Sequence, residues 1–323
     1  RLDPMVRFPD GKRTAAPWSD TEAFEMSTPS RPREPKTSDE AIRSHWKPRG
    51  DLSFIRKALD RKGLEPNQAT LEQLAVHDQL HSGQLQGTLD FLEWAAVSPS
   101  STVLDLGAGM GGAARLLARD HRCEVTAVEL CPELVEGGQE LTRWRGLEGQ
   151  VEHVCASVLE YEPSKTYDLV WIQHTDIHIQ NKVALYERCR RWVRPQGRVL
   201  WHDWLLGPDG DPRYPMPWST DGAISHLIDE GRFWALLDEV GLVRERFQDK
   251  SLETAEYFRR SRRGIHKARE RTLAKGIPEK HPRAVRLRRL EEDASNVIRN
   301  IEERRLVAIY AEATRRKEAV KRR

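Results

Sequence analysis

Cysteine is scarce in this chain, with four in 323 residues. Cys123, Cys131, Cys155 and Cys189 form no CxxC pair, and no paired histidines stand beside them at ligand spacing. A disulfide framework and a short-range zinc motif are thereby excluded, and no metal is expected. Cys123, Cys155 and Cys189 fall in or beside apolar runs, a pattern that fits a reduced, cytoplasmic protein. Long apolar runs are missing too: no stretch approaches a bilayer span, and no signal peptide is visible. The chain opens on Arg1 and not Met, so residues upstream of it are expected. A strong excess of one charge is also absent, since 53 Lys and Arg against 50 Asp and Glu leave +3, spread unevenly. The length suits one large α/β domain with additions.

What is present is concentrated in one stretch, Val103-Leu-Asp-Leu-Gly-Ala-Gly-Met-Gly-Gly112, followed by Glu129. The aliphatic residues around Asp105 read as a buried parallel strand, and the glycines as a tight turn into a helix. Glycine is required where a Cβ would block a ligand lying against backbone at a helix N-terminus. A second apolar run, Val125–Leu130, places Glu129 at its end, where an open α/β sheet presents an acceptor to two ribose hydroxyls. A nucleoside cofactor is expected there.

Gly107, Gly109 and Gly112 satisfy the dinucleotide spacing, which is weak by itself. Asp105 argues against NAD, because a carboxylate just upstream of the loop would repel a pyrophosphate but sit well near a cationic ligand. S-adenosylmethionine is such a ligand, and the order of the following apolar runs is that of a methyltransferase sheet.

Residues 1–50 are polar and read as a disordered arm. Residues 51–98 read as an N-terminal helical cap in which Leu52, Phe54, Ile55 and Leu59 share a face. Residues 99–256 carry the alternation of a parallel sheet, with strands predicted at 103–107, 124–129, 150–155, 167–173 and 198–204, and a sixth at Val243–Phe247. Helices are predicted at 112–119, 132–144, 180–193 and 229–240. Residues 257–304 form a basic helical insertion, and 305–323 a last strand, Leu306–Ala313, with a basic tail. The insertion has no stacking aromatic after Phe258, so a nucleic-acid partner is not expected. Its stripe of Leu287, Leu290, Val297, Ile298 and Ile301 suits helices that cover a site or a homodimer contact.

With these elements in place the chain resembles the class I S-adenosylmethionine-dependent methyltransferases. More narrowly it is similar to the sarcosine/dimethylglycine branch of betaine synthesis and to a related S-methyltransferase branch that makes dimethylsulfoniopropionate precursors. The resemblance rests on Asp78–Gly83 (DQLHSG), the LDLGAGMGG loop, Trp171-Ile-Gln-His-Thr175, Val193-Arg-Pro-Gln-Gly197, Tyr214-Pro-Met-Pro-Trp218 and Ser225-His226-Leu227, and covers roughly 71–250. It implies a Rossmann-like sheet of seven strands with helices on both faces, N-terminal helices, and the helical insertion before the last strand. It further implies that Gly107 and Gly109 line the methionine portion of the cofactor, Glu129 takes the ribose, Leu130 flanks adenine, and Gln173 lies under the sulfonium. Gln79 and His81 match a loop that closes over the cofactor. Where many members carry an acid for the adenine amino group, this chain has Ser157, with Val158 beside it.

Methyl transfer is an in-line displacement from a sulfonium, so alignment and exclusion of water matter more than a dedicated base. The acceptor implied is a small carboxylate-bearing metabolite, methylated at nitrogen or, as the alternative, at a thioether sulfur such as that of 4-methylthio-2-hydroxybutyrate. Among His174, His178, His202 and His226, the loops single out His174 and His226. Asp176 beside His178 suggests a carboxylate–imidazole pair. Tyr214 and Trp218, at the ends of a proline-stiffened loop, suit a wall facing a methylated cation. Arg213 is a candidate for the acceptor carboxylate, and Trp171, Trp201 and Trp204 are expected in the core.

Overall fold

The structure, a computed structural model, describes residues 38–316. The expected arm over 1–37 and the basic tail over 317–323 lie outside the described residues. From Ser38 the remainder of that arm is helical instead: α1 (Ser38–Trp46) runs into a 3-10 turn, Lys47–Gly50. Tertiary contacts account for this, because Ile42 is buried, the Trp46 indole donates to His178 Nε2 at 3.2 Å, and Lys47 pairs with Glu133. Local composition carries none of that information.

Three helices follow: α2 (Ser53–Asp60), α3 (Leu71–Asp78) and α4 (Gln84–Ala95). Thr70 and Gln73 form a capping box that starts α3. Ile55, Leu59, Leu71, Leu74, Phe91 and Leu92 bury against Leu116 and Leu117 of the sheet-covering helix α5 (Gly112–His121).

The strands are β1 (Thr102–Leu106), β2 (Glu124–Glu129), β3 (Val151–Cys155), β4 (Tyr167–Gln173), β5 (Val193–Leu206), β6 (Leu242–Asp249) and β7 (Leu306–Arg315). Between them lie α6 (Pro132–Trp144), α7 (Lys182–Trp192), α8 (Glu230–Glu239), α9 (Ser251–Ala274) and α10 (Pro282–Glu302). The sheet order is β3-β2-β1-β4-β5-β7-β6. The first five strands are parallel, and β7 runs antiparallel between β5 and β6. Central residues such as Val103, Leu104, Val170, Trp171, Ile172 and Trp201 are buried, as continuous apolar strands covered on both faces must be.

Two boundaries and one residue's exposure differ from the pattern reading. Strand β5 begins at Val193, because the Val193–Gly197 turn pairs with β4 through a register shift between Tyr167 and Leu169. Helix α9 begins at Ser251, whose amide is taken by the Asp249 carboxylate at 2.7 Å. Cys155 is exposed, since β3 is an edge strand. The stripe on α10 is as expected: Leu287, Val297, Ile298 and Ile301 are buried, against α9 and beneath Trp204, Met216 and Trp218. Trp171, Trp201 and Trp204 are core residues.

Candidate active site

The chain turns at the C-terminal edge of β1, beside the point where strand order reverses, which is where open α/β sheets hold ligands. Gly107, Gly109 and Gly111 all have positive φ. A Cβ on Gly107 would lie 2.1 Å from Thr175 Oγ1, whereas one on Gly109 would meet only Leu80 Cδ1, at 3.8 Å. The loop is thus packed at its first glycine and open at its second. Glu129 Oε2 accepts the Gly109 amide hydrogen at 2.9 Å and Oε1 that of Cys131 at 2.8 Å. Burial raises the Glu129 pKa, and those amides oppose the rise. Asp105 is buried, and burial together with Glu129 pushes it up to about 7. Among the described residues its Oδ2 has no hydrogen-bond partner.

The next edge adds Leu130, half-buried, with Ser157 and Val158, both buried. Ala156 donates to the Glu129 carbonyl at 3.0 Å, which ties this turn to β2. Among the described residues Ser157 Oγ receives a single long bond, 3.4 Å, from Leu159 N, which leaves acceptor capacity on the hydroxyl.

Opposite stands a cluster of uncharged polar side chains. Gln173, at the end of β4, keeps its amide oxygen on Trp171 Nε1 at 3.2 Å; its amide nitrogen lies 3.0 Å from His202 Nδ1 and 3.2 Å from Thr88 Oγ1. Thr88 donates to Gln79 Oε1 at 2.8 Å, and His81 Nε2 is 2.8 Å from the same oxygen. His174 Nε2 meets Ser82 Oγ at 2.9 Å and His202 Nε2 at 3.3 Å. Burial drives His81 down to about 4, and burial with neighbouring imidazoles drives His174 well below its ordinary range. His202 is likewise well below, through burial and the field of His81. These rings are neutral at neutral pH.

The structure therefore brings Gln79, His81, Gln173 and His174 together, and adds Thr88, Ser82 and His202. Thr88 and Ser82 carried no signal beyond their place in or near DQLHSG. The same motif hides a second function: Asp78 accepts from Arg115 at 2.6 Å in a fully buried ion pair under the glycine loop. One pairing foreseen from sequence is not made. Asp176 binds Lys182, Tyr186 and Trp201 instead of His178, which sits between Trp46 and the Ile224 carbonyl. Arg213 pairs with Glu303 at 3.0 Å.

His226, half-buried, is held by its backbone N–H on the Ile177 carbonyl at 2.7 Å, and among the described residues its buried Nε2 has no hydrogen-bond partner. Tyr214 packs on Gly222, where φ is +92° and a Cβ would lie 2.8 Å from the tyrosine ring. Trp218 is buried, donates to Ser225 Oγ at 3.1 Å and stacks on Trp204 at 5.2 Å between centroids. Trp204 in turn lies 5.8 Å from His174. The loop thus reaches the histidine cluster through Trp204, an intermediate that its own sequence does not reveal.

Residues 103–197 match the family model described as methyltransferase domain. They form a methyltransferase domain. The chain is 30% identical over 186 residues to the glycine/sarcosine/dimethylglycine N-methyltransferase of Actinopolyspora halophila, a match covering 57% of this chain and 32% of that protein. The chain thus spans about a third of the length of this relative. Phosphoethanolamine N-methyltransferase 2 of Haemonchus contortus, solved with phosphomonomethylethanolamine and S-adenosylhomocysteine, shares the fold at TM-score 0.64 and 18% identity, over 80% of this chain and 59% of that one. A putative sarcosine dimethylglycine methyltransferase from Galdieria sulphuraria shares it at TM-score 0.59 and 20% identity, over 73% of this chain and 86% of that one. The seven-stranded sheet is that of the class I methyltransferases.

Methyltransferase domains of this class use S-adenosylmethionine. The residues present fit that group. The methyltransferase loop leaves the Gly109 face open, Glu129 keeps lone pairs beyond its two backbone bonds, and Asp105 holds an unpartnered buried oxygen beside them.

Proposed function

We propose that this chain transfers a methyl group from S-adenosylmethionine to the nitrogen of a small, carboxylate-bearing amine of the sarcosine or dimethylglycine kind, a step of osmolyte synthesis. The observation that carries the reading is the pairing of two walls: the Gly107–Gly109 loop braced by Glu129, and the neutral cluster of Gln79, His81, Gln173 and His174. Similarity to the Actinopolyspora N-methyltransferase supports nitrogen as the acceptor atom.

The cofactor, when bound, supplies a methyl group activated by a sulfonium leaving group. In this reading Gly107 and Gly109 lie along its methionine portion, Glu129 accepts from the ribose hydroxyls, and Leu130, Ser157 and Val158 enclose the adenine. Gln79 and His81 close the opposite side, and Gln173 lies under the sulfonium. An amine reacts through its own lone pair, so weakly basic, uncharged imidazoles suit the work better than a strong base. His174 and His226 orient the acceptor by hydrogen bonds. Tyr214 and Trp218, the latter through Trp204, give the aromatic surface that a developing ammonium favours. Alignment of lone pair, methyl and sulfur is the main contribution.

The test is transfer from methyl-labelled cofactor to glycine, sarcosine, dimethylglycine, phosphoethanolamine and 4-methylthio-2-hydroxybutyrate. Methylation of an amino acid with no product from the other two is expected. Transfer to the thioether alone would reject the nitrogen assignment and keep the cofactor site.

A further inference from the structure

His81, His174 and His202 come from three places in the chain: the α3–α4 loop, the residue after β4, and the middle of β5. One ring nitrogen of each lies within 4.8 Å of the others. Nε2 of His174 and of His202 are 3.3 Å apart, close to the separation set by two zinc–nitrogen bonds of about 2.0–2.1 Å at a tetrahedral angle. We propose that these three imidazoles bind one divalent transition-metal ion and leave at least one coordination position open.

Several features agree with that assignment. No carboxylate is among the charges that act on the three rings; the Ser82 carbonyl favours protonation of His81, and burial outweighs it, so all three are held as neutral imidazoles. Three imidazoles without a carboxylate select Zn²⁺, Co²⁺, Ni²⁺ or Fe²⁺ over Mg²⁺ and Ca²⁺. Outer contacts that orient such ligands are in place. His81 Nδ1 is 3.0 Å from the Ser82 carbonyl, and the Gln173 amide reaches His202 Nδ1. Ligation through His202 Nε2 leaves the proton on Nδ1, so the Gln173 amide turns its oxygen there and gives up Trp171. The spacing rules that suggested no metal read only short-range motifs, and these ligands are brought together by the sheet. An open position on the ion suits an anionic oxygen of the acceptor; that use, unlike the binding itself, rests on the methyl-transfer reading.

The experiment is a titration of chelator-treated full chain with Co²⁺, followed by its visible d–d bands, and then displacement by Zn²⁺. One equivalent should bind with tetrahedral-type bands that Zn²⁺ abolishes. His81→Asn, His174→Asn and His202→Asn should each weaken Co²⁺ binding by about tenfold or more, while His121→Asn leaves it unchanged. Because His202 is buried and its variant can unfold, X-ray absorption on the Zn²⁺-loaded unmodified chain should independently count three imidazole ligands. Absence of stoichiometric binding, or unchanged bands in the triple variant, would overturn the site. Calorimetry of S-adenosylhomocysteine on metal-free protein runs in parallel. Binding there with no metal uptake rejects the metal site alone, and metal uptake with no binding there rejects the methyltransferase reading alone.

Discussion

Glu129 Oε2 accepts the amide hydrogen of Gly109 at 2.9 Å, so the acid at the end of β2 is the brace of the glycine loop. On the proposed reading the same carboxylate also accepts from the cofactor's ribose hydroxyls, and its loss should cost both.

Glu129→Ala should lower S-adenosylhomocysteine affinity by about 1–3 kcal/mol, the range of charge-assisted hydrogen bonds. Glu129→Gln, which keeps an acceptor for Gly109, should recover part of that loss. Titration calorimetry checks both. Equal affinity in Glu129→Ala and the unmodified chain would remove Glu129 from the site.

The buried Asp78–Arg115 pair predicts a stability effect instead. Asp78→Ala should destabilise the fold by about 3–5 kcal/mol, because it leaves an unpaired guanidinium in the core. Replacing both partners by apolar residues of similar volume should cost much less. Chemical denaturation of the two variants reads the difference, and a larger loss in the double variant would contradict it.

At the proline-stiffened loop the two aromatic ends should part company. Trp218 is buried on Trp204, so Trp218→Ala should cost about 3–5 kcal/mol of stability through the cavity it leaves. Tyr214 is only half-buried, and Tyr214→Leu, which removes the ring, should reduce acceptor turnover, whereas Tyr214→Phe, which keeps it, should retain most of it. Normal turnover in Tyr214→Leu would remove the ring from the site.

Stability should pass through a maximum with pH. His45, His81, His153 and His178 are held at about 4 by burial, with His174 and His202 also lowered, against an ordinary value of 6.5. Unfolded, these rings take up protons below that value; folded, they do not, so stability falls as pH drops from about 6.5 toward 4. Asp105 and Asp203 are pushed the other way by burial, to about 7 and about 8. The folded chain keeps those protons where the unfolded chain has lost them, so stability falls as pH rises through that range. Below about 6.5 the histidines outnumber the raised carboxylates; above it the two aspartates act in the same direction as Cys123, Cys131 and Cys189, whose thiols burial raises and which add their effect toward the alkaline end. Thermal unfolding from about pH 5 to about pH 9 should show the maximum near 6.5, with a shallower alkaline decline in Asp203→Asn. A steady rise to the alkaline end would refute this.

The glycine loop, Glu129 and the alternation of strands with helices were legible in the sequence because each is a local pattern. A positive φ demands glycine, and a strand buried on both faces demands an unbroken apolar run, as at Val103–Leu106 and Leu169–Ile172. Those patterns determined the sheet, the edge at which the glycine loop and Glu129 meet, and the side of the loop that stays open. The tertiary structure decided what long-range pairing decides. It set Asp176 on Lys182 and not on His178, gave Arg213 to Glu303, and placed Trp204 between Trp218 and His174. It also gathered His81, His174 and His202, which no spacing rule connects, because strand order determines which distant side chains share a sheet edge and sequence distance does not.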